Sequence, residues 1–194
     1  MDYPWYELVA DSDSITQGDI LPHCPVVLAN RDVYETAVRS EGAVAPIEID
    51  DPVEIVTVDI VILTQACDIE HTKVDSLVVC PVWSLSALIE SNQYFAGSKA
   101  RENLRQGNEP AFHLLNNFES PSFQMEFSVV EFHRLYSLPK DFLRTVAANT
   151  PLRLRLLPPY REHLSQAFAR YFMRVGLPSD IERSVLKQFS PQPD

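Results

Sequence analysis

Val53-Glu54-Ile55-Val56-Thr57-Val58-Asp59-Ile60-Val61-Ile62-Leu63 is the stretch on which the fold turns. It begins in alternation, with Thr57 and Asp59 outward, and ends as the continuous run Ile60-Val61-Ile62-Leu63. An apolar, β-branched run of this length predicts a strand buried on both faces. Thr64 to Val74 follows as a polar connection. Leu77-Val78-Val79-Cys80-Pro81-Val82 then reads as the next strand. The connection is too short for a parallel crossover, so the two strands are expected to pair antiparallel. Pro81, which lacks a backbone donor, predicts that the second strand ends or turns irregular there.

Working outward, residues 1–16 are polar and acidic and carry Trp5, which suggests an arm docked by its aromatics. Gln17-Gly18-Asp19-Ile20-Leu21 leads into the short strand Cys24-Pro25-Val26-Val27-Leu28. Residues 31–52 are acidic, with weak alternation: one strand or a variable loop. Ser84 has the chemistry of an N-cap for a helix over Leu85–Ser91. A second helix is expected over Ser98–Gln106, ended by Gly107. Ala111–Leu115 and Phe127–Leu138 read as strands around the loop Asn116–Glu126. Leu138-Pro139-Lys140-Asp141-Phe142 opens a short helix or turn. Leu152-Arg153-Leu154-Arg155-Leu156 alternates strictly, which predicts that both arginines leave the core face together. After Pro158-Pro159, Tyr160, Leu164, Phe168, Tyr171, Phe172 and Val175 form one helical stripe, ended by Gly176. A small helix is expected over Ser179–Phe189. Strands first and helix last argue for α+β or a small barrel, not a doubly wound sheet.

Composition narrows the function classes. The 194 residues are 45% hydrophobic and 22% charged, which excludes disorder and a collagen-like chain. No apolar run approaches the roughly 20 residues of a membrane span. The start Met1-Asp2-Tyr3-Pro4 has neither the basic nor the apolar region of a signal peptide. Three cysteines, an odd number, suggest a reducing compartment, so a cytoplasmic location is expected.

The net charge of −11 is unevenly spread. Residues 1–75 hold 16 acidic and 3 basic residues, a net −13; residues 76–194 hold 11 acidic and 13 basic, a net +2. His133–Arg174 alone has 8 basic and 2 acidic residues, a net +6. Such asymmetry predicts either an anionic partner or pairing of the two halves. The binding candidates are Arg153, Arg155, Arg161, Arg170 and Arg174. Tyr160 and Tyr171 are interleaved among them, which would suit stacked bases. A dedicated nucleic-acid domain is more typically basic overall.

Thr64-Gln65-Ala66-Cys67-Asp68-Ile69-Glu70-His71 is the sharpest local cluster. Cys67 and His71 are four apart and share a face if this turn is helical. A thiol beside an imidazolium can act as a nucleophile, which makes Cys67, Asp68 and His71 the catalytic candidates. The plainer reading is a polar turn with Asp68 bracing the backbone. His23, Cys24, Cys67, His71 and Cys80 are the weak metal candidates. No C-x₂-C pair occurs among them, so no metal and no cofactor is expected. No P-loop, nucleophile elbow, dinucleotide fingerprint or H-E-x-x-H is present. His113 and His133 fall within expected strands, and His163 on the C-terminal helix.

Gln17-Gly18-Asp19-Ile20, Leu63-Thr64-Gln65-Ala66-Cys67-Asp68 and Pro159-Tyr160-Arg161-Glu162-His163-Leu164, running on to Arg174-Val175-Gly176-Leu177-Pro178, together resemble a group of small uncharacterised bacterial proteins with a Gln-x-Cys-Asp hairpin. More loosely, Gly18-Asp19-Ile20, Pro25-Val26-Val27-Leu28 and Val78-Val79-Cys80-Pro81 are similar to the SH3-like barrel of PemK/MazF-type toxins. That likeness covers about residues 17–85 and implies a compact barrel that cleaves RNA. In those toxins an arginine typically precedes the Pro-Val-Val stretch; here Cys24 stands there, and no basic residue occurs between Met1 and Asn30. A ribonuclease needs cations to hold phosphate and stabilise developing charge, so the barrel is expected without the activity.

The expectation is therefore an α+β chain: a small, partly open SH3-like barrel over residues 1–157, with a helical insertion at about 84–107 and a C-terminal helical segment over 158–194. The leading functional expectation is a non-enzymatic binding or accessory module with a protein partner, in a toxin–antitoxin or phage-defence setting. The alternatives are a cysteine-dependent hydrolase using Cys67 and an RNA-contacting barrel.

Overall fold

The computed structural model describes residues 3–28 and 54–173. Ten strands are described: β1 (Tyr6–Ala10), β2 (Asp19–Leu28), β3 (Glu54–Ile62), β4 (Ser76–Ser84), β5 (Phe112–Leu115), β6 (Phe118–Glu119), β7 (Gln124–Met125), β8 (Ser128–Glu131), β9 (Tyr136–Pro139) and β10 (Leu152–Leu156). Helices α1 (Ala66–Glu70), α2 (Leu85–Ser91), α3 (Ser98–Arg105), α4 (Lys140–Ala148) and α5 (Tyr160–Phe172), with a 3₁₀ turn over Gln93–Ala96, complete the set. The main sheet runs β1-β10-β2-β3-β4-β8-β5, with β9 also paired to β4 and β6-β7 a separate ribbon. Every pairing is antiparallel. The fold is mixed α and β, and the sheet does not close into a barrel; among the described residues β1, β5 and β9 are its edges.

β3 is the centre, as its sequence predicts. Ile60, Val61 and Ile62 are each fully buried. Val61 joins a core with Ile20, Cys80, Val82 and Leu154 on one face; Ile60 and Ile62 join a core with Leu21, Leu77 and Val79 on the other. Two-faced burial needs a cover on each side. α5 supplies one, through Leu164 and Phe168; α4 supplies the other, through Leu143 and Ala147. The arm also docks as expected: Trp5 stacks on Tyr160 with ring centroids 3.8 Å apart.

Pro81 does not end its strand. β4 continues to Ser84 because it changes neighbour around the proline: Ser76–Val79 pair with β9, and Val82–Ser84 with β8. A residue with no N–H suits the gap between those two ladders. Ser84 caps α2 as predicted, its hydroxyl accepting from the Ala87 N–H at 3.1 Å. The insertion between β4 and β5 has its own small core of Leu88, Phe95, Ala100 and Leu104 against Val129.

Three expectations change. Phe127–Leu138 is two strands, β8 and β9, parted by a turn, so His133 lies outside any strand. Thr64–Val74 holds the helical turn α1. Phe172 leaves the α5 stripe, with 56% of its surface exposed. Residues 31–52, Arg174, Val175, Gly176 and the helix expected over Ser179–Phe189 lie outside the described residues. Among the described residues no helix is long and apolar enough to cross a membrane.

Candidate functional site

The three sequence stretches singled out above meet at one end of the sheet. Gln17 Nε2 donates to the Leu63 carbonyl at 3.1 Å and to Ser165 Oγ at 2.9 Å. The Gly18 N–H donates to the Ile62 carbonyl, and the Gly18 carbonyl accepts from the Leu156 N–H. Gly18 sits at φ +85°, and a Cβ there would come within 3.2 Å of Arg161 Cγ and of Leu156 Cβ. Only glycine meets both the conformation and the space.

Asp19, the next residue, is fully buried, and so is Arg153. Arg153 Nε donates to Asp19 Oδ2 at 2.9 Å. The remaining Arg153 donors go to the carbonyls of Ala10, Asp13 and Ser14. Arg155 donates to both Asp19 oxygens and to the Ser14 carbonyl, and lies 3.5 Å from Glu7. Strict alternation predicted both arginines facing away from the core. The structure instead roofs that strand face with the loop after β1, so Arg153 offers no charge to a phosphate. Here the two halves of the chain pair internally.

That clamped loop is one wall of a cleft of about 560 Å³. Asp11, Asp13, Ile15 and Thr16 line it from the loop. Ala66, Ile69 and Glu70 line it from one face of α1, and Arg144 and Ala147 from α4, with Arg155 between. Both cations are engaged, Arg155 with Asp19 and Arg144 with Asp141. Arg155 serves Asp19 and Glu7 and also feels the charge of Asp13, whereas Asp11 and Glu70 have no ion-pair partner among the described residues. The cleft therefore presents a negative wall. Sequence reading missed it, although the turn-forming run Asp11-Ser12-Asp13-Ser14 before Gln17-Gly18-Asp19 was its signal.

Cys67 and His71 do share a helical face, as their spacing predicts, and the His71 N–H donates to the Cys67 carbonyl. That face is not the one lining the cleft. Cys67 is exposed, and its thiol partners are Gln65 Oε1 at 3.8 Å and Asp68 Oδ1 at 3.7 Å, both acceptors. Lys73 Nζ reaches Asp68 at 3.3 Å. Asp68 thus braces the turn.

The metal candidates do not gather: among the described residues no three metal-ligating side chains cluster. Cys24 and Cys80 belong to opposite cores of the sheet. Burial pushes the Cys24 thiol up to about 11 and the Cys80 thiol up to about 12. His23 is exposed at the β2 bulge, its N–H donating to Asp59 Oδ1 at 2.8 Å. Arg161 pairs with Glu162, and Arg170 is exposed on α5.

A thiol count follows. At neutral pH in native buffer a thiol reagent is expected to modify Cys67 alone, with Cys24 and Cys80 reacting only after denaturation. Titration of the protein and of Cys67→Ser checks this. A rate for Cys67 well above that of a free thiol would revive the nucleophile reading.

No protein-family model matches the chain, and no curated protein matches it.

Proposed function

We propose that this chain is a non-enzymatic binding module that docks a basic protein partner in the cleft between the β1–β2 loop, α1 and α4. The observation that carries the reading is the balance of charge there. Arg153 and Arg155 are engaged by Asp19, while Asp11 and Glu70, with no ion-pair partner among the described residues, line an open cleft together with Asp13. Charge complementarity of this kind steers encounter and selects partners. The resemblance adds an SH3-like relationship for the sheet and a toxin–antitoxin or phage-defence setting.

The test is a titration of the full chain with a lysine- and arginine-rich peptide. Replacing Asp11, Asp13 and Glu70 together by their amides is expected to weaken binding by roughly tenfold or more. Neutralising three acids elsewhere on the surface, Glu54, Glu90 and Glu119, should change it far less. Equal losses in the two triple variants would mean that net charge, not the cleft, does the binding.

A further inference from the structure

A second cavity, of about 440 Å³, opens beside the helical insertion. Its polar end is built on three neighbouring strands. Trp83, next to the last residue of β4, is opposite Val129 of β8; Glu131 lies two residues further along β8, on the same face, and is opposite Phe112 of β5. Residues in these positions are direct or diagonal neighbours on one sheet face. Leu88 of α2 closes the apolar side.

Within this frame Glu131 is fixed and its two oxygens are divided. Oε2 accepts from Trp83 Nε1 at 2.8 Å. Oε1 faces Arg134 Nε at 3.5 Å. The Arg134 guanidinium also lies over the Trp83 ring, 5.8 Å from its centroid. The carboxylate is well covered, at 15% exposure, whereas Arg134 is 58% exposed at the mouth. Indole face plus carboxylate is a complete receptor for a guanidinium: the plane stacks and the edge donates. The chain's own arginine shows which chemistry the receptor takes. Arg134 is held there by an exposed ion pair and an exposed cation–π contact, both weak.

We propose that the Trp83–Glu131 groove is a docking site for an arginine side chain of a partner protein, with Arg134 as its displaceable internal occupant. The incoming guanidinium takes the indole face and the Glu131 oxygen that Arg134 vacates. Its aliphatic stem lies along Leu88 and Phe112, where apolar surface is available. Lysine is a poorer fit, because an ammonium is a point charge with no plane to stack. This site is separate from the acidic cleft and stands or falls independently of it.

The experiment uses the full chain carrying Trp5→Phe, which keeps a ring on Tyr160 and leaves Trp83 as the sole tryptophan reporter. The probes are acetylated, amidated Gly-Ser-Arg-Ser-Gly peptides, with lysine or the uncharged isostere citrulline in place of arginine. The arginine peptide is expected to change Trp83 fluorescence saturably, the lysine peptide more weakly, and the citrulline peptide not at all. Glu131→Gln should weaken arginine binding by roughly tenfold. Arg134→Ala, a surface change that spares the fold, should tighten it about three- to tenfold by removing the competitor. No saturable response to arginine, or an equal response to citrulline, overturns the proposal. So does weaker binding in Arg134→Ala, which would make Arg134 a recognition group and not an occupant. Neutralising Asp11, Asp13 and Glu70 should leave this signal in place, so failure here is distinguishable from failure of the cleft.

Discussion

Asp19→Asn is expected to destabilise the fold by about 3–5 kcal/mol, the usual cost of stranding a buried charge. Asp19 and Arg153 have no solvent-exposed side-chain surface, so water cannot take over the lost interaction. The carboxylate serves two guanidinium groups at once, and Glu7 and Asp13 add negative charge beside Arg155. Removing the Asp19 charge leaves the buried Arg153 guanidinium with no carboxylate partner among the described residues. Asparagine also turns an acceptor into an NH₂ donor facing guanidinium donors. The loss reaches further than the pair. Arg153 satisfies the carbonyls of Ala10, Asp13 and Ser14, so the loop that walls the acidic cleft depends on it. Arg153→Lys is expected to be nearly as damaging, because one ammonium cannot reproduce a guanidinium's fork of donors. Urea unfolding of the three proteins, with unchanged slopes, measures the effect as a shift of midpoint. A shift worth less than about 1 kcal/mol for Asp19→Asn would show that the cluster is not a keystone.

Arg153 also marks where sequence stops being informative. Periodicity reports which residues of a strand share a face; it does not report whether that face is roofed. Arg153 and Arg155 do share a face. Their partner Asp19 lies 134 residues from Arg153 along the chain, beyond any local pattern. The features that were legible are local or strongly periodic. Ile60-Val61-Ile62 announces a two-faced strand, Ser84 announces a cap, and Tyr160, Leu164, Phe168 and Tyr171 announce the face that α5 buries. Pro81 misled because a proline in a strand was read against one neighbour, while β4 has two in succession on the same side. The β8–β9 turn passed unseen because Phe132-His133-Arg134-Leu135 contains neither glycine nor proline. For the candidate site, composition gave the sign of the charge, but only the fold shows which acids stand around the cleft.

Acid is expected to loosen the seat of α5. His113 sits on β5, with its ring edge-to-face against His163 of α5 at 6.2 Å. Burial pushes the His113 imidazole down to about 4, and the neighbouring His163 and Arg170 push in the same direction. The unfolded chain titrates this group at about 6.5. Between these two values the unfolded chain binds a proton that the folded chain refuses. Stability is therefore complete above about pH 6.5 and declines as the pH falls toward 4, by up to about 3 kcal/mol from this group. Carboxylates add their own losses at lower pH, so the informative quantity is a difference between proteins. His113→Leu removes the titrating group while keeping an apolar side chain against α5, and its stability should fall much less between pH 6.5 and 4.5. His163→Gln removes one of the two neighbours that push His113 down and should flatten the profile only in part, because burial is the larger cause. Urea midpoints at half-unit pH intervals give the curves, and fluorescence of Trp5, stacked on Tyr160 at the start of α5, reports whether that helix leaves first. Parallel curves for the parent and His113→Leu would assign the acid sensitivity to other groups.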